Sequence, residues 1–153
     1  MAKLSILPNE VTKDQDTQNR QIYMAFNDIV SYSYNIASQN LADFSDSKVV
    51  TSTNTNYQNV PDYSFTFDTK NPLVQIIVNL ALKGEGKIGF FIGNQVAREF
   101  YFNNTNENNM NFSSLTTLKT GKNTITIKWK AITGTITKSD KSSSFCQIIS
   151  VNS

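Results

Sequence analysis

Histidine is absent from the 153 residues. That removes the commonest general base, catalytic-triad member and metal ligand. The acids Asp43, Asp46, Asp62, Asp68, Glu85 and Glu99 are scattered, without the fixed alternating oxygen ligands of a calcium loop. Nothing local marks a pair of carboxylates for glycoside hydrolysis. Gly84-Glu85-Gly86-Lys87 has the glycines and lysine of a phosphate loop but neither its length nor a following helix, and it reads as a hairpin turn. Four aromatic residues, Tyr57, Tyr63, Tyr101 and Trp129, have the chemistry to stack on sugar rings. Trp129 shares one face of an alternating run with Ile125 and Ile127, which makes it a core residue. Tyr57 lies in a turn-rich stretch and is the candidate ligand contact. Arg98 and Glu99 read as an ordinary surface pair. The expectation is a protein that is not an enzyme and takes no cofactor or metal.

A net charge of +2 is too small to imply nucleic acid. Lys119, Lys122, Lys128 and Lys130 are separated by Thr and Ile and read as a solvated strand face. The charged share, 17%, is below the usual quarter, so solubility rests on Asn, Ser and Thr. The single cysteine, Cys146, excludes an intrachain disulfide and lies in the apolar run Phe145–Ile149, where an inert buried thiol is expected. The first residues have one lysine and too short an apolar run for a signal peptide. No segment approaches the roughly 20 apolar residues of a membrane span.

The elements that must position these residues fall into three parts. Residues 1–17 are polar and read as an extended arm. Residues 18–44 hold the only helical pattern: Ile22, Phe26, Ile29 and Ile36 follow a broken heptad seam, widened by Val30 and Ala37. Such a helix, rich in Ser, Tyr and Asn, does not stand alone in water and must bury its stripe, on the chain's own sheet or on copies of itself. From residue 45 to 153, β-branched and aromatic residues alternate with polar ones between Gly, Asn and Pro signals. Tyr63, Phe65 and Phe67 alternate with Ser64, Thr66 and Asp68. Leu73–Leu82 is apolar on both faces, so its second face requires a cover. Asn103–Asn111 reads as a loop, and Gly93-Asn94 and Thr120-Gly121 as turns. The pattern implies eight or nine strands in a mainly β fold: an antiparallel, jelly-roll-type β-sandwich preceded by one N-terminal α-helix.

The segments Val50–Phe67 and Leu115–Trp129 carry a resemblance. A strand, a Tyr-containing turn, a Pro and a second strand are followed later by a Gly turn into an alternating strand ending in Trp. Gly134-Thr135-Ile136-Thr137 and Phe145–Val151 continue the order. This resembles the small jelly-roll domains of bacteriophage fibres and virion appendages, over about two-thirds of the chain. The histidine which that group often places before its last long strand is missing; Lys122-Asn123 stand there. The resemblance implies a phage structural protein, a head or tail fibre or decoration component. It would be assembled in the bacterial cytoplasm and carried on the virion beside capsid or tail proteins, with no membrane insertion. It implies a homotrimer joined through Ile22, Phe26, Ile29 and Ile36, whose projecting jelly roll meets a host surface glycan. The reading of another class is a carbohydrate-binding module on the same kind of sandwich.

Overall fold

The computed structural model describes residues 39–139 and 144–151, together with Asn19, Arg20, Ile22 and Met24. Those four have helical backbone, and Ile22 and Met24 are exposed. Phe26, Ile29 and Ile36, the rest of the expected helical seam, and the expected arm lie outside the described residues. The chain separates into one unit of residues 1–38 with 152–153 and a second of residues 39–151. The sheet therefore begins ahead of the expected boundary: residues 39–44, assigned above to the helical segment, are strand.

Among the described residues of the second unit there are seven strands: β1 Gln39–Asp46, β2 Val50–Ser52, β3 Gln58–Thr69, β4 Leu73–Ile92, β5 Gln95–Thr117, β6 Gly121–Lys138 and β7 Ser144–Ser150. All pairings are antiparallel. The count is below eight or nine because three strands run on through expected breaks. Gly84-Glu85-Gly86 is not a hairpin turn but the middle of β4; Asn103–Asn111 is not a loop but part of β5; Gly134 lies inside β6. Cross-strand pairing outweighs the local turn preference of Gly and Asn.

β4 organises the sheet. One edge carries β5 along its whole length, from Leu73 opposite Thr117 to Ile92 opposite Gln95. The other edge pairs Val74–Asn79 with β7 and Leu82–Ile92 with β6. β1 extends the β7 side, and β2 and β3 extend the β6 side. The strand therefore belongs to two leaves, and it bends between them at Gly84. On the β5 side, Leu82 faces Asn108 and Gly84 faces Asn104, so Thr105, Asn106 and Glu107 stand against Lys83 alone. On the β6 side, Lys83 faces Thr137 and Glu85 faces Thr133, so Gly134, Thr135 and Ile136 stand against Gly84 alone. Extra residues on one strand bend and twist a ladder. Gly84 has φ +99°, and a Cβ there would lie 2.4 Å from the Thr135 carbonyl oxygen. No L side chain fits either the conformation or the space.

The curled sheet encloses one core, giving a β-sandwich. Val74, Ile76, Val78, Leu80 and Leu82 alternate inward from the first leaf, and Ile125, Ile127 and Trp129 from the second, all essentially inaccessible. Trp129 is thus core, as its neighbours predict. Phe100, on the second leaf, touches Phe90 and also Phe112 of the first, at 5.1 and 5.3 Å between ring centres. The outward face of β4's first half is mixed: Ala81 is buried, while Leu73 and Ile77 are half-buried. Where the leaves approach through β1 and β3, Phe44 meets Tyr63 edge-on at 5.1 Å. Beside it the Lys138 ammonium donates to Asp46 Oδ1 at 2.5 Å and to the Lys48 carbonyl at 2.6 Å, with the lysine side chain fully buried. This ion pair ties β1 to the end of β6.

Two outcomes follow from the bend and its tie. Gly84→Ala should lose about 3 kcal/mol or more in urea denaturation, since backbone strain alone costs about 1–3 kcal/mol; an unchanged midpoint would contradict the bend as described. Lys138→Met should lose about 3–5 kcal/mol, because it leaves a buried carboxylate without its cation. Adding Asp46→Leu should recover most of that loss, and a double variant no more stable than the single would contradict the tie.

Candidate functional site

The outward face of the second leaf gathers the chemically capable side chains. Pairing rows across β6, β4 and β5 place Lys130, Lys87 and Tyr101 side by side, and next to them Lys128, Gly89 and Glu99. Glu85 and Phe91 continue the face along β4, two residues to either side, as the two-residue period of a strand requires. The segment before β3 brings Tyr57 over this surface.

Tyr57 and Phe91 form an edge-to-face pair with ring centres 5.1 Å apart. Gly89 is their seat: a Cβ there would meet Phe91 Cε2 at 2.7 Å and Tyr57 Cε1 at 3.2 Å. Only a residue without a side chain lets both rings lie this close to the sheet. The Lys130 ammonium sits 4.6 Å from the Tyr57 ring centre, and that of Lys128 4.6 Å from the Phe91 ring centre. Contacts of this kind contribute about 0.5–1 kcal/mol at exposed sites.

The two carboxylates are each held by a phenol and a second donor. Glu99 accepts from the Tyr57 hydroxyl and, at 2.5 Å, from Lys87. Glu85 accepts from the Tyr101 hydroxyl at 2.8 Å and from Thr133 at 2.9 Å. The Lys87 hydrogen bond is the largest influence holding the Glu99 carboxyl below its ordinary range, with the Tyr57 hydrogen bond next. Burial, then the bond to Glu99, pushes the Tyr57 phenol upward, so it stays a neutral donor at physiological pH. Tyr101 is displaced the same way, chiefly by its bond to Glu85.

The structure places Tyr57, the sequence's candidate contact, in the middle of this face. Of the other aromatic candidates, Tyr101 stands on it and is exposed, whereas Tyr63 and Trp129 are buried in the core. Arg98 and Glu99 are not a surface pair: Glu99 turns to Lys87 and Tyr57, while Arg98 lies 5.9 Å from the Phe100 ring centre. Phe91, Gly89, Lys87, Lys128, Lys130 and Glu85 were not singled out as site residues. Their outward alternation is visible in the sequence, but their register is not. A shift between Phe90 and Phe91 makes Glu99, not Arg98, the partner of Gly89.

Two other features are less equipped. A cleft of about 680 Å³ at the tip of the β4–β5 hairpin is lined by Asn94, Gln95, Thr116, Lys119, Lys122 and Asn123 among others, with no aromatic ring or carboxylate. Cys146 is fully buried and its thiol is pushed up to about 12, chiefly by burial, which makes it a poor nucleophile. Among the described residues no three His, Cys, Asp or Glu side chains are grouped closely enough to hold a metal ion, and no helix is long and apolar enough to cross a membrane.

No protein-family model matches the chain, and no curated protein matches it. Solved structures do. A carbohydrate-binding module, CBM36 in complex with calcium and xylotriose, aligns over 71% of this chain and 99% of its own with 16% identity and a TM-score of 0.42. The CBM36-1 domain of a multidomain xylanase from the hindgut metagenome of Trinervitermes trinervoides aligns over 73% and 96%, with 11% identity and a TM-score of 0.42. The insecticidal delta-endotoxin Cry8Ea1 of Bacillus thuringiensis aligns over 72% of this chain and 20% of its own, with 12% identity and a TM-score of 0.43.

The Glu99 network has a measurable signature. A carboxylate whose folded value is depressed contributes stability above its unfolded value and loses it as pH falls through the folded one. In a carbon-detected NMR titration Glu99 should therefore protonate below the usual value of about 4.3. Lys87→Met should move that midpoint upward. Equal midpoints in the two proteins would show that Lys87 does not hold Glu99.

Proposed function

We propose that this chain is a non-catalytic saccharide-binding β-sandwich of jelly-roll type, and that its binding surface is the outward face built on Tyr57, Phe91, Glu99 and Lys87. One observation carries the reading: an aromatic pair seated on Gly89 and ringed by carboxylates and ammonium groups, all borne by strands or held against them. A sugar presents apolar C–H faces and a rim of hydroxyls. Tyr57, half-exposed, supplies the apolar contact and Phe91, buried beneath it, holds it in place, while Glu99 and Glu85 accept and Lys87 donates charge-assisted hydrogen bonds. Strand-borne side chains locked by mutual contacts are already ordered, which lowers the entropic cost of binding.

The sequence resemblance to phage appendages would place such a face on a virion, where a host surface glycan is its natural counterpart. Attachment through residues 18–38 and homotrimerisation belong to the same proposal and rest chiefly on residues outside those described.

A saccharide array followed by calorimetry tests the reading. Wild-type protein should bind at least one glycan class, and Tyr57→Ala should weaken that binding about tenfold or more, equivalent to about 1.4 kcal/mol, with the circular dichroism spectrum retained. Full affinity in Tyr57→Ala, or no bound glycan at all, would overturn it. Gly89→Ala supplies an independent check. It should keep the fold and displace both rings, weakening binding without removing any polar group.

A further inference from the structure

We infer that the saccharide bound by this face is an acidic one, a glycan bearing carboxylate or sulfate groups, recognised by Lys128 and Lys130. The inference rests on the saccharide-binding reading and adds the ligand's charge to it.

Three ammonium groups and two carboxylates stand on the face: Lys87, Lys128 and Lys130 against Glu85 and Glu99. They are not equally engaged. Lys87 is paired with Glu99. Glu85 is engaged by the neutral donors Tyr101 and Thr133. The ion pairs among the described residues are Lys48–Asp62, Lys87–Glu99 and Lys138–Asp46, and neither Lys128 nor Lys130 takes part in one. Both instead lie over aromatic rings, a contact weaker than a charge-assisted hydrogen bond to an anion. They alternate on one strand, so their Cα atoms are about 7 Å apart. Two half-buried lysines at that spacing, held over the aromatic surface and outside every ion pair among the described residues, form an anion-accepting edge, with the Lys130 charge also acting through space on Glu99.

The ring arrangement and the carboxylates decide between classes of anion. A nucleic acid uses open, flat aromatic platforms in a groove of uniform positive charge. Here the rings meet edge to face, with 68° between their planes, and each carries a lysine. Glu85 and Glu99 interrupt the positive charge and would repel a continuous phosphate backbone. For a glycan the same carboxylates are useful, because they accept hydroxyl hydrogen bonds. An acidic glycan therefore matches both signs of charge on the face.

Calorimetry on the full chain tests the inference with three probes: oligogalacturonate, the same oligomer with its carboxyl groups methyl-esterified, and oligothymidylate. Oligogalacturonate should bind at least tenfold more tightly than the ester. The preference should collapse in Lys128→Gln/Lys130→Gln and at about 1 M salt, where the Debye length falls to about 3 Å. Lys119→Gln/Lys122→Gln, which alters the hairpin-tip cleft instead, should retain it. Equal binding of acid and ester would overturn the inference and leave the saccharide reading standing. Equal binding of oligothymidylate, or loss of the preference only in the Lys119/Lys122 variant, would also overturn it. Failure to bind either oligomer, together with an empty saccharide array, would remove the reading beneath it.

Discussion

The close approach of the Thr135 carbonyl to Gly84 is the constraint on which both leaves depend. A hairpin of two long strands has no reason to fold in half unless its central strand turns sharply while keeping partners on both edges. At Gly84 that turn is made by letting the neighbours lengthen. β5 and β6 each set three residues against one residue of β4, so the ladder resumes beyond the corner with backbone groups paired. The left-handed conformation, and the space occupied by the carbonyl oxygen, leave room for hydrogen alone. Alternation along β4 then carries through the corner. Val74 to Leu82 fill the core from one leaf, Ile88 and Phe90 from the other.

The corner also determines which side chains share the outer face. With Ile88 and Phe90 pointing inward, Lys87, Gly89 and Phe91 must point outward. The shift between Phe90 and Phe91 then sets which residues of β5 join them. One residue of slip exchanges the faces of a strand. Without it Arg98 would stand opposite Gly89, Glu99 would turn away, and Tyr57 and Lys87 would lose their common acceptor. The face is a consequence of two irregularities in one hairpin, one at its corner and one near its tip.

This explains what was legible in the residues and what was not. Strict alternation marked Ile125, Ile127 and Trp129 as core, because a period of two is a property of one strand and needs no knowledge of its partners. Gly93-Asn94 marked a true hairpin because a two-residue turn is local. The glycines at 84 and 86 and the asparagines from 103 to 111 were misleading for one physical reason. Turn-forming residues also serve where a continuous strand must bulge, and only long-range pairing tells the two apart. Tyr57 was found by its turn-rich setting. Its companions were not, because Phe91, Lys87, Glu99, Lys128 and Lys130 come from three different strands and meet through register alone.

The same logic separates the two lysine-bearing regions that the sequence ran together. Lys119 and Lys122 flank the turn into β6, beside a cleft lined by amides, hydroxyls and the aliphatic Ile92, Val96 and Leu118. Lys128 and Lys130 lie further along that strand, over aromatic rings. A lysine in water is fully hydrated and gains little from any one neighbour. A lysine laid along a ring has given up part of its hydration, because the ring occupies one side of it, and receives only a quadrupole in return. An anion brought to such a lysine recovers an interaction that water no longer fully supplies, at smaller desolvation cost than at a free side chain. The aromatic pair thus has two effects at once. Tyr57 offers its surface, and the pair keeps two cations partly dry and in place, the basis of the charge selectivity we infer for the face.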